Sequence, residues 1–274
     1  MNLPSEGSIV TGKAAPAENT CRWLVSLDFD GTLRQDCGPA IPLSFFEKMA
    51  ELRAYGVRWG INTGRTLPYL CSEMLPCSPV LPDFICTCER YIYMADAEGI
   101  LRPASAYNQA CEQINMQLRQ AFQPTLHATL AAIRRTHPKL QWEIAATDPL
   151  SVEAADSETM DELMPLLHPL TTKSITIQRA GRYMRFADSR FNKGTALAFV
   201  CNAYKLQPEQ LFIMGDGHND IDAFKQFEGA YCVAPANAHP EVATWLHAHG
   251  GKISAHCGVL HALQDWFVER VCKP

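Results

Sequence analysis

The chain has 274 residues, of which 47% are hydrophobic and 19% are charged, and its formal net charge is −5. This length predicts one large or two moderate domains with ample hydrophobic core. The negative charge and the lack of a basic tract argue against nucleic acid or an acidic membrane surface as the main partner. No apolar run approaches the ~18 residues of a membrane span, so we expect no membrane partner either.

The first 20 residues are rich in Gly, Ser, Pro and Ala and lack the apolar segment of a signal peptide. We interpret residues 1–21 as a flexible lead-in. The eleven cysteines form no CxxC pair, and an odd number of cysteines without a secretory signal favours reduced thiols in a cytoplasmic protein.

Two carboxylates follow the first predicted strand, which covers residues 23–28. The apolar run that ends at Leu27 is typical of a buried strand in a parallel sheet. Asp28 and Asp30 come where ligands bind in open α/β sheets, and Gly31 allows a sharp turn. Two acids at this place suit a divalent cation and carboxylate chemistry. The alternative is a pair of turn or helix-capping acids.

The second predicted strand, over residues 57–62, ends in Thr63-Gly64-Arg65. A hydroxyl group and backbone amides at a strand end can hydrogen-bond a phosphoryl oxygen. The alternative is that Thr63 caps the following helix. The same part of the chain predicts helices over 43–55 and 66–74, a third strand over 83–87 and a β-hairpin over 91–101.

The pattern changes after Pro103, where the sequence predicts a unit that contains both helices and strands. Pro124 separates two helical patterns, which we predict as two helices. The predicted elements are helices over 106–121, 124–136 and 158–167 and strands over 140–146, 150–155, 174–178 and 182–187. We therefore divide the chain into a core of residues 22–102 and 187–274 and an inserted α+β domain of residues 103–186.

Two further segments complete the candidate site. Lys193 begins a predicted helix over 193–204, and Asp216 follows a strand over 211–215. Asp220 falls on the first turn of the next helix, so both acids point beyond one sheet edge, as a site for a hard cation requires. The alternatives are a solvated surface lysine and a tight Asp-Gly turn.

In order along the chain, these segments resemble the four motifs of the haloacid dehalogenase (HAD) superfamily of phosphotransferases. The matching residues are Asp28-x-Asp30, Thr63, Lys193 and Gly215-Asp216-x-x-Asn219-Asp220. About 35 residues separate the first motif from the second, and about 130 separate the second from the third. Only the second interval can hold a domain. This arrangement resembles the Cof-type or sucrose-phosphatase-like branch.

The resemblance implies an α/β fold, with a Rossmann-like parallel-sheet core and an inserted α+β cap of the C2 type. It also implies an Mg²⁺-dependent phosphatase that acts on a small phosphorylated metabolite, most simply a sugar or polyol phosphate, through an aspartyl-phosphate intermediate. The sequence does not determine the oligomeric state.

The same resemblance assigns roles to individual residues. Asp28 would be the nucleophile and Asp30 the general acid and base, while Thr63 and Lys193 complete the catalytic set. The implied substrate-binding residues are Thr63, Gly64, Arg65, Lys193 and Asn219. The implied Mg²⁺ ligands are Asp28, Asp30 through its backbone carbonyl, Asp216 and Asp220.

Two other functions stay open from the sequence. A phosphomutase of the same superfamily would reuse Asp28 and Asp30, although the short first interval disfavours it. A non-catalytic binding or regulatory domain would also keep the fold, but members of that class lose motif acids that are intact here.

One departure from the resemblance concerns the substrate. The third predicted strand leads into Cys88-Glu89-Arg90, where Cof-type relatives usually show an Asn-Gly pair. This puts the transfer of a sugar-phosphate preference in doubt. Arg65, Glu89 and Arg90 are candidate substrate contacts, with surface salt bridges as the alternative, and His218 could approach the ligand.

Overall fold

The computed structural model describes residues 21–34, 41–146 and 148–272. The predicted lead-in of residues 1–21 lies outside these ranges except for its last residue. The described residues form two separate sheets, one of eight strands and one of four. No described helix is both long enough and apolar enough to cross a membrane.

The first part of the chain forms strands and helices close to the predicted ones. They are β1 (Trp23–Leu27), α1 (Leu43–Arg53), β2 (Val57–Asn62), α2 (Leu67–Glu73), β3 (Phe84–Thr87), β4 (Tyr91–Ala95) and β5 (Leu101–Pro103). The middle part forms α3 (Ser105–Thr136), β6 (Trp142–Ile144), β7 (Ser151–Ala154), α4 (Ser157–Leu167), β8 (Ile175–Ala180) and β9 (Tyr183–Asp188).

The last part of the chain returns to the large sheet. Its elements are α5 (Lys193–Tyr204), β10 (Leu211–Met214), α6 (Ile221–Gln226), β11 (Tyr231–Ala234), α7 (Pro240–Ala248), β12 (Lys252–Ile253) and α8 (Leu260–Trp266).

The large sheet has the order β12-β11-β10-β1-β2-β3-β4-β5, and all its pairs are parallel except those that involve β4 and β5. Successive side chains of β1 point to opposite faces, so that Val25 and Leu27 join one hydrophobic core and Leu24 joins the other. Helices therefore cover both faces, which is why the strands read as continuous apolar runs. The predicted α/β class with a parallel sheet is confirmed.

The small sheet is antiparallel, with the order β6-β7-β9-β8. Helices α3 and α4 pack against it around a separate hydrophobic core that includes Leu126, Val152, Leu163 and Met184. We call the segment from α3 to β9 the four-stranded unit. Its own core favours the predicted inserted domain of residues 103–186, whose boundaries stay a prediction.

The prediction of two helices separated by Pro124 was wrong. A single helix, α3, runs from Ser105 to Thr136 and contains Pro124. Phe122 on one side of the proline and Leu126, Leu130 and Ile133 on the other are buried in the same core. Burial of one continuous apolar face therefore outweighs the hydrogen bond that the proline removes.

We predict that Pro124→Ala stabilises the protein, because Pro124 is exposed within α3 and removes a backbone hydrogen bond there. The free energy of unfolding should rise by roughly 1–2 kcal/mol, measured by urea denaturation. Thr125→Ala, at an exposed position of the same helix, is the control and should change it much less. A less stable Pro124→Ala protein would show instead that packing requires the bend that the proline imposes.

Candidate active site

Three strand ends bring the predicted motif residues to one edge of the large sheet. β1 lies between β10 and β2 and runs parallel to both. Asp28 directly follows β1, Thr63 directly follows β2, and Asp216 stands two positions after the last residue of β10. Because the carboxyl ends of parallel strands share an edge, these three side chains emerge side by side.

Lys193 is buried between two of the acids. Its Nζ lies 2.9 Å from Asp28 Oδ1 and 2.7 Å from Asp220 Oδ1, and its side chain is only 1% exposed. Asn192 begins α5 with a capping box, and Asn62 Nδ2 donates to the Lys193 carbonyl at 2.9 Å. The alternative of a solvated surface lysine is therefore wrong.

Three carboxylates gather around this ammonium group. Asp28, Asp216 and Asp220 each offer an oxygen, and these atoms lie within 4.8 Å of one another. The pKa is raised to about 7 for Asp28 and Asp216 and to about 6 for Asp220. Burial is the main cause of each increase, and repulsion between neighbouring acids adds to it. Burial alone would lower the pKa of Lys193, but Asp220 and Asp28 together raise it.

This group of side chains fits a magnesium ion. Three carboxylates and one ammonium leave an excess of negative charge in a buried place, which a divalent cation would neutralise. Carboxylate oxygens are also the ligands that Mg²⁺ prefers. The residues that could hold the ion are Asp28, Asp216 and Asp220, with Asp30 as the further ligand that the sequence predicts.

Two glycines allow the acids to pack against the backbone. Gly31 has a φ of +74°, and a Cβ at this position would lie 2.2 Å from Asp216 Oδ2. A Cβ at Gly215 would lie 2.1 Å from the carboxyl carbon of Asp220. Any larger residue at either position would displace one of the acids, so the close packing of the carboxylates depends on both glycines.

Two polar residues of the site were missed by the sequence analysis. Thr32 Oγ1 donates to Asp216 Oδ1 at 2.8 Å, and Asn237 Nδ2 donates to the Gly31 carbonyl at 2.8 Å. Thr32 could have been found, because it directly follows the glycine turn after Asp30. Asn237 lies 206 residues from its partner, so this contact could not be predicted from the local sequence.

Thr63 lies in the turn that follows β2, with its side chain buried. Its Oγ1 accepts a hydrogen bond from the Arg65 backbone N–H at 3.1 Å. The N-cap residue of α2 is Thr66, so the alternative that Thr63 caps this helix is wrong.

Asp30 is held by two arginines. Arg34 Nη2 donates to Asp30 Oδ1 at 2.7 Å, and Arg65 Nε donates to Asp30 Oδ2 at 2.6 Å. The Asp30 side chain is one-third exposed, whereas Asp28 and Asp220 are buried. Arg65 therefore contacts the candidate general acid, and its role in binding a substrate stays a prediction.

Asn219 and Glu89 connect this edge of the sheet to the four-stranded unit. Asn219 Nδ2 donates to Glu89 Oε1 at 2.5 Å, and Arg185 of β9 donates from Nη2 to Glu89 Oε2 at 2.6 Å. Both members of the Glu89–Arg185 pair have side chains only 6% exposed. The alternative of a surface salt bridge is therefore wrong for Glu89.

The turn that carries Glu89 has an unusual backbone. Cys88 and Glu89 have φ values of +50° and +62°, in the left-handed region. Each such residue other than glycine costs roughly 1–2 kcal/mol. Hydrogen bonds from the two backbone N–H groups to the carbonyls of Arg65 and Thr63, both 2.9 Å long, hold the turn. The conformation is one that the expected Asn-Gly pair would adopt more easily.

Arg90 and His218 lie close to the site but have partners of their own. Arg90 is buried, and its Nη2 lies 3.8 Å from Asp148 Oδ2. His218 belongs to a second group of potential ligands with His239 and Glu241. Burial lowers the pKa of His218 to about 4, so its imidazole is neutral at physiological pH.

The raised pKa values of the three acids predict how stability depends on pH. An acid with a higher pKa in the folded than in the unfolded protein stabilises the fold at low pH, and this contribution disappears as the pH rises through the folded value. As the pH rises from 4 to 7, the stabilisation that Asp28, Asp216 and Asp220 contribute to the metal-free protein should therefore disappear.

Asp28→Asn removes one of these acids and also removes the repulsion by which Asp28 raises the pKa of Asp216. We expect its melting temperature, followed by circular dichroism with a chelator present, to fall less steeply with pH than that of the wild type. Equal slopes for the two proteins would contradict the raised pKa values.

Comparisons with known proteins agree with the geometry. A sequence profile of haloacid dehalogenase-like hydrolases matches residues 90–263. The chain is 26% identical over 226 residues to a phosphoglycolate phosphatase of Methanopyrus kandleri. The matched region covers 80% of this chain and 86% of the relative.

Solved structures share the fold. The sucrose-phosphatase of Synechocystis, solved with sucrose and phosphate, has a TM-score of 0.63 at 18% identity, over 89% of this chain and 96% of the other. The haloacid dehalogenase-like protein yhjK of Bacillus subtilis has a TM-score of 0.57 at 14% identity, over 94% and 95%. The profile match covers more than half of the sequence, and the chain belongs to the haloacid dehalogenase-like hydrolase family.

Proposed function

We propose that this hydrolase is an Mg²⁺-dependent phosphatase that cleaves the monoester of a small phosphorylated metabolite, with a sugar or polyol phosphate as the first candidate. The observation that supports this most is the buried Lys193 ammonium group, which contacts both Asp28 and Asp220. A buried cation beside closely packed acids matches the need to neutralise a phosphate ester before it can be attacked.

Asp28 is the proposed nucleophile. Its carboxylate attacks phosphorus and forms an aspartyl-phosphate, so that one difficult displacement becomes two easier steps. A carboxylate needs no separate base to activate it, and Lys193 stabilises its charged form at 2.9 Å. Asp28, Asp216 and Asp220 would hold the Mg²⁺ ion, which would supply positive charge to neutralise the phosphoryl group.

Asp30 is the proposed general acid and base. It protonates the leaving alcohol in the first step and takes a proton from water in the second. Arg34 and Arg65 fix its orientation through the contacts at 2.7 and 2.6 Å. Because these guanidinium groups bind both carboxylate oxygens, we propose that at least one contact opens when Asp30 carries the proton.

Thr63 and the residues after it are proposed to bind the phosphoryl oxygens. The Thr63 hydroxyl can donate to a phosphoryl oxygen while it accepts from the Arg65 backbone N–H. Lys193 adds positive charge next to Asp28. The four-stranded unit, which largely coincides with the predicted cap of residues 103–186, would cover the leaving group and exclude water.

Asp28→Asn should abolish phosphatase activity while leaving the fold intact. The amide keeps the shape of the side chain but cannot attack phosphorus, so turnover of p-nitrophenyl phosphate should fall below about a thousandth of the wild-type rate. Asp265→Asn, an exposed position in α8, is the control and should retain full activity. Activity of the Asp28→Asn protein close to the wild type would refute the mechanism.

Chelation of divalent cations should silence the enzyme, and added Mg²⁺ should restore its activity, because the three acids otherwise repel the phosphate. Mg²⁺ should also raise the melting temperature of the wild type at pH 7.5, but much less for Asp216→Asn. Full turnover in excess chelator, or an equal thermal shift in both proteins, would exclude this metal site.

A further inference from the structure

The Glu89–Arg185 pair crosses from the large sheet to the four-stranded unit. Arg185 on β9 donates from Nη2 to Glu89 Oε2 and to the Cys88 carbonyl, both at 2.6 Å. Its Nε donates to Gln178 Oε1 of β8 at 2.8 Å. The guanidinium group is therefore anchored in the four-stranded unit and directed at the strained turn that carries Glu89.

The pair also lies against the candidate phosphoryl site. A Cβ on Gly64, the residue after Thr63, would lie 3.4 Å from Glu89 Oε1. The same oxygen accepts the hydrogen bond from Asn219, and the charge of Glu89 acts on the Lys193 ammonium. A leaving group that extends from the phosphoryl site towards the four-stranded unit would therefore meet Glu89 and Arg185.

The two arginines beside this turn, Arg185 and Arg90, already have acidic partners. Glu89 neutralises Arg185, and Asp148 lies 3.8 Å from the buried Arg90. A carboxylate in the leaving group would approach Glu89, whose partner Arg185 is already neutralised, and like charges in a buried place repel strongly. Hydroxyl groups, in contrast, could donate to Glu89 and accept from Arg185.

We propose that the Glu89–Arg185 pair determines substrate specificity by favouring uncharged, hydroxyl-bearing leaving groups and rejecting leaving groups that carry a carboxylate. This inference rests on the proposed phosphatase function and deepens it. The proposed role explains why Glu89 occupies a position with a left-handed backbone, although glycine would be less strained there. It also sets this chain apart from the phosphoglycolate phosphatase that it resembles, whose named substrate carries a carboxylate.

Two esters of nearly equal size test the inference. 2-Hydroxyethyl phosphate and 2-phosphoglycolate differ in one group, which is a hydroxymethyl group in the first and a carboxylate in the second. We expect the wild type to favour 2-hydroxyethyl phosphate by at least about tenfold in kcat/KM. Glu89→Gln should reduce this preference about fivefold or more, because hydrolysis of 2-phosphoglycolate becomes faster. Arg185→Gln should increase the preference, because it leaves the Glu89 carboxylate without its cation.

Glu153→Gln is the matched control, because Glu153 of β7 pairs with Arg182 at 2.7 Å within the four-stranded unit. It removes the same charge from an ion pair and should leave the preference unchanged. Glu89→Gly is a second variant whose residue suits the left-handed backbone, and it should act like Glu89→Gln if the glutamine variant does not fold.

p-Nitrophenyl phosphate separates the two levels of the proposal, because its hydrolysis by the wild type tests the phosphatase function with a leaving group that carries neither a carboxylate nor an aliphatic hydroxyl. If no ester is hydrolysed by the wild type, the proposed phosphatase function fails and this inference fails with it. If p-nitrophenyl phosphate is hydrolysed but the wild type prefers 2-phosphoglycolate, the specificity role alone is overturned. Shifts of the preference in the same direction for Glu89→Gln and Arg185→Gln would overturn it as well.

Discussion

The active-site edge of this protein depends on one buried ammonium group. Lys193 holds Asp28 and Asp220 at 2.9 and 2.7 Å in a place that is almost closed to water. Burying several charges in this way contributes little to stability, because the desolvation of each ion offsets most of the Coulomb attraction. The ends of β1 and β10, the two glycines and the capping box of α5 all serve to hold this cluster, which indicates that it is kept for chemistry.

The turn that connects the large sheet to the four-stranded unit has a strained backbone. Two residues in the left-handed region bring Glu89 against Asn219, which neighbours the acid Asp220, and against Arg185 of the four-stranded unit. One carboxylate therefore touches the core site and the unit proposed to cover it. The hydrogen bonds from Arg185 help to offset the backbone strain only while the two units stay together, so local strain and the position of the cap are coupled.

The sequence predicted the parts of the site that local patterns mark. Apolar strands that lead into Asp28, Thr63 and Asp216 predicted both the parallel sheet and the edge where these residues meet. The reason is that the carboxyl ends of parallel strands lie at the same edge of a sheet. The contacts of Arg65 with Asp30 and of Glu89 with Arg185 were not predicted, since they join residues 35 and 96 positions apart. The continuity of α3 was also missed, because tertiary burial overrode the local signal of Pro124.

The central step of the proposed mechanism is the covalent phosphorylation of Asp28. Acid quenching during turnover of p-nitrophenyl phosphate, followed by borohydride reduction and peptide mass spectrometry, measures this directly, because reduction converts an aspartyl-phosphate into homoserine. We expect homoserine at position 28 in the wild type under turnover and none without the ester. Modification of a different residue, or sustained turnover with position 28 unmodified, would contradict it.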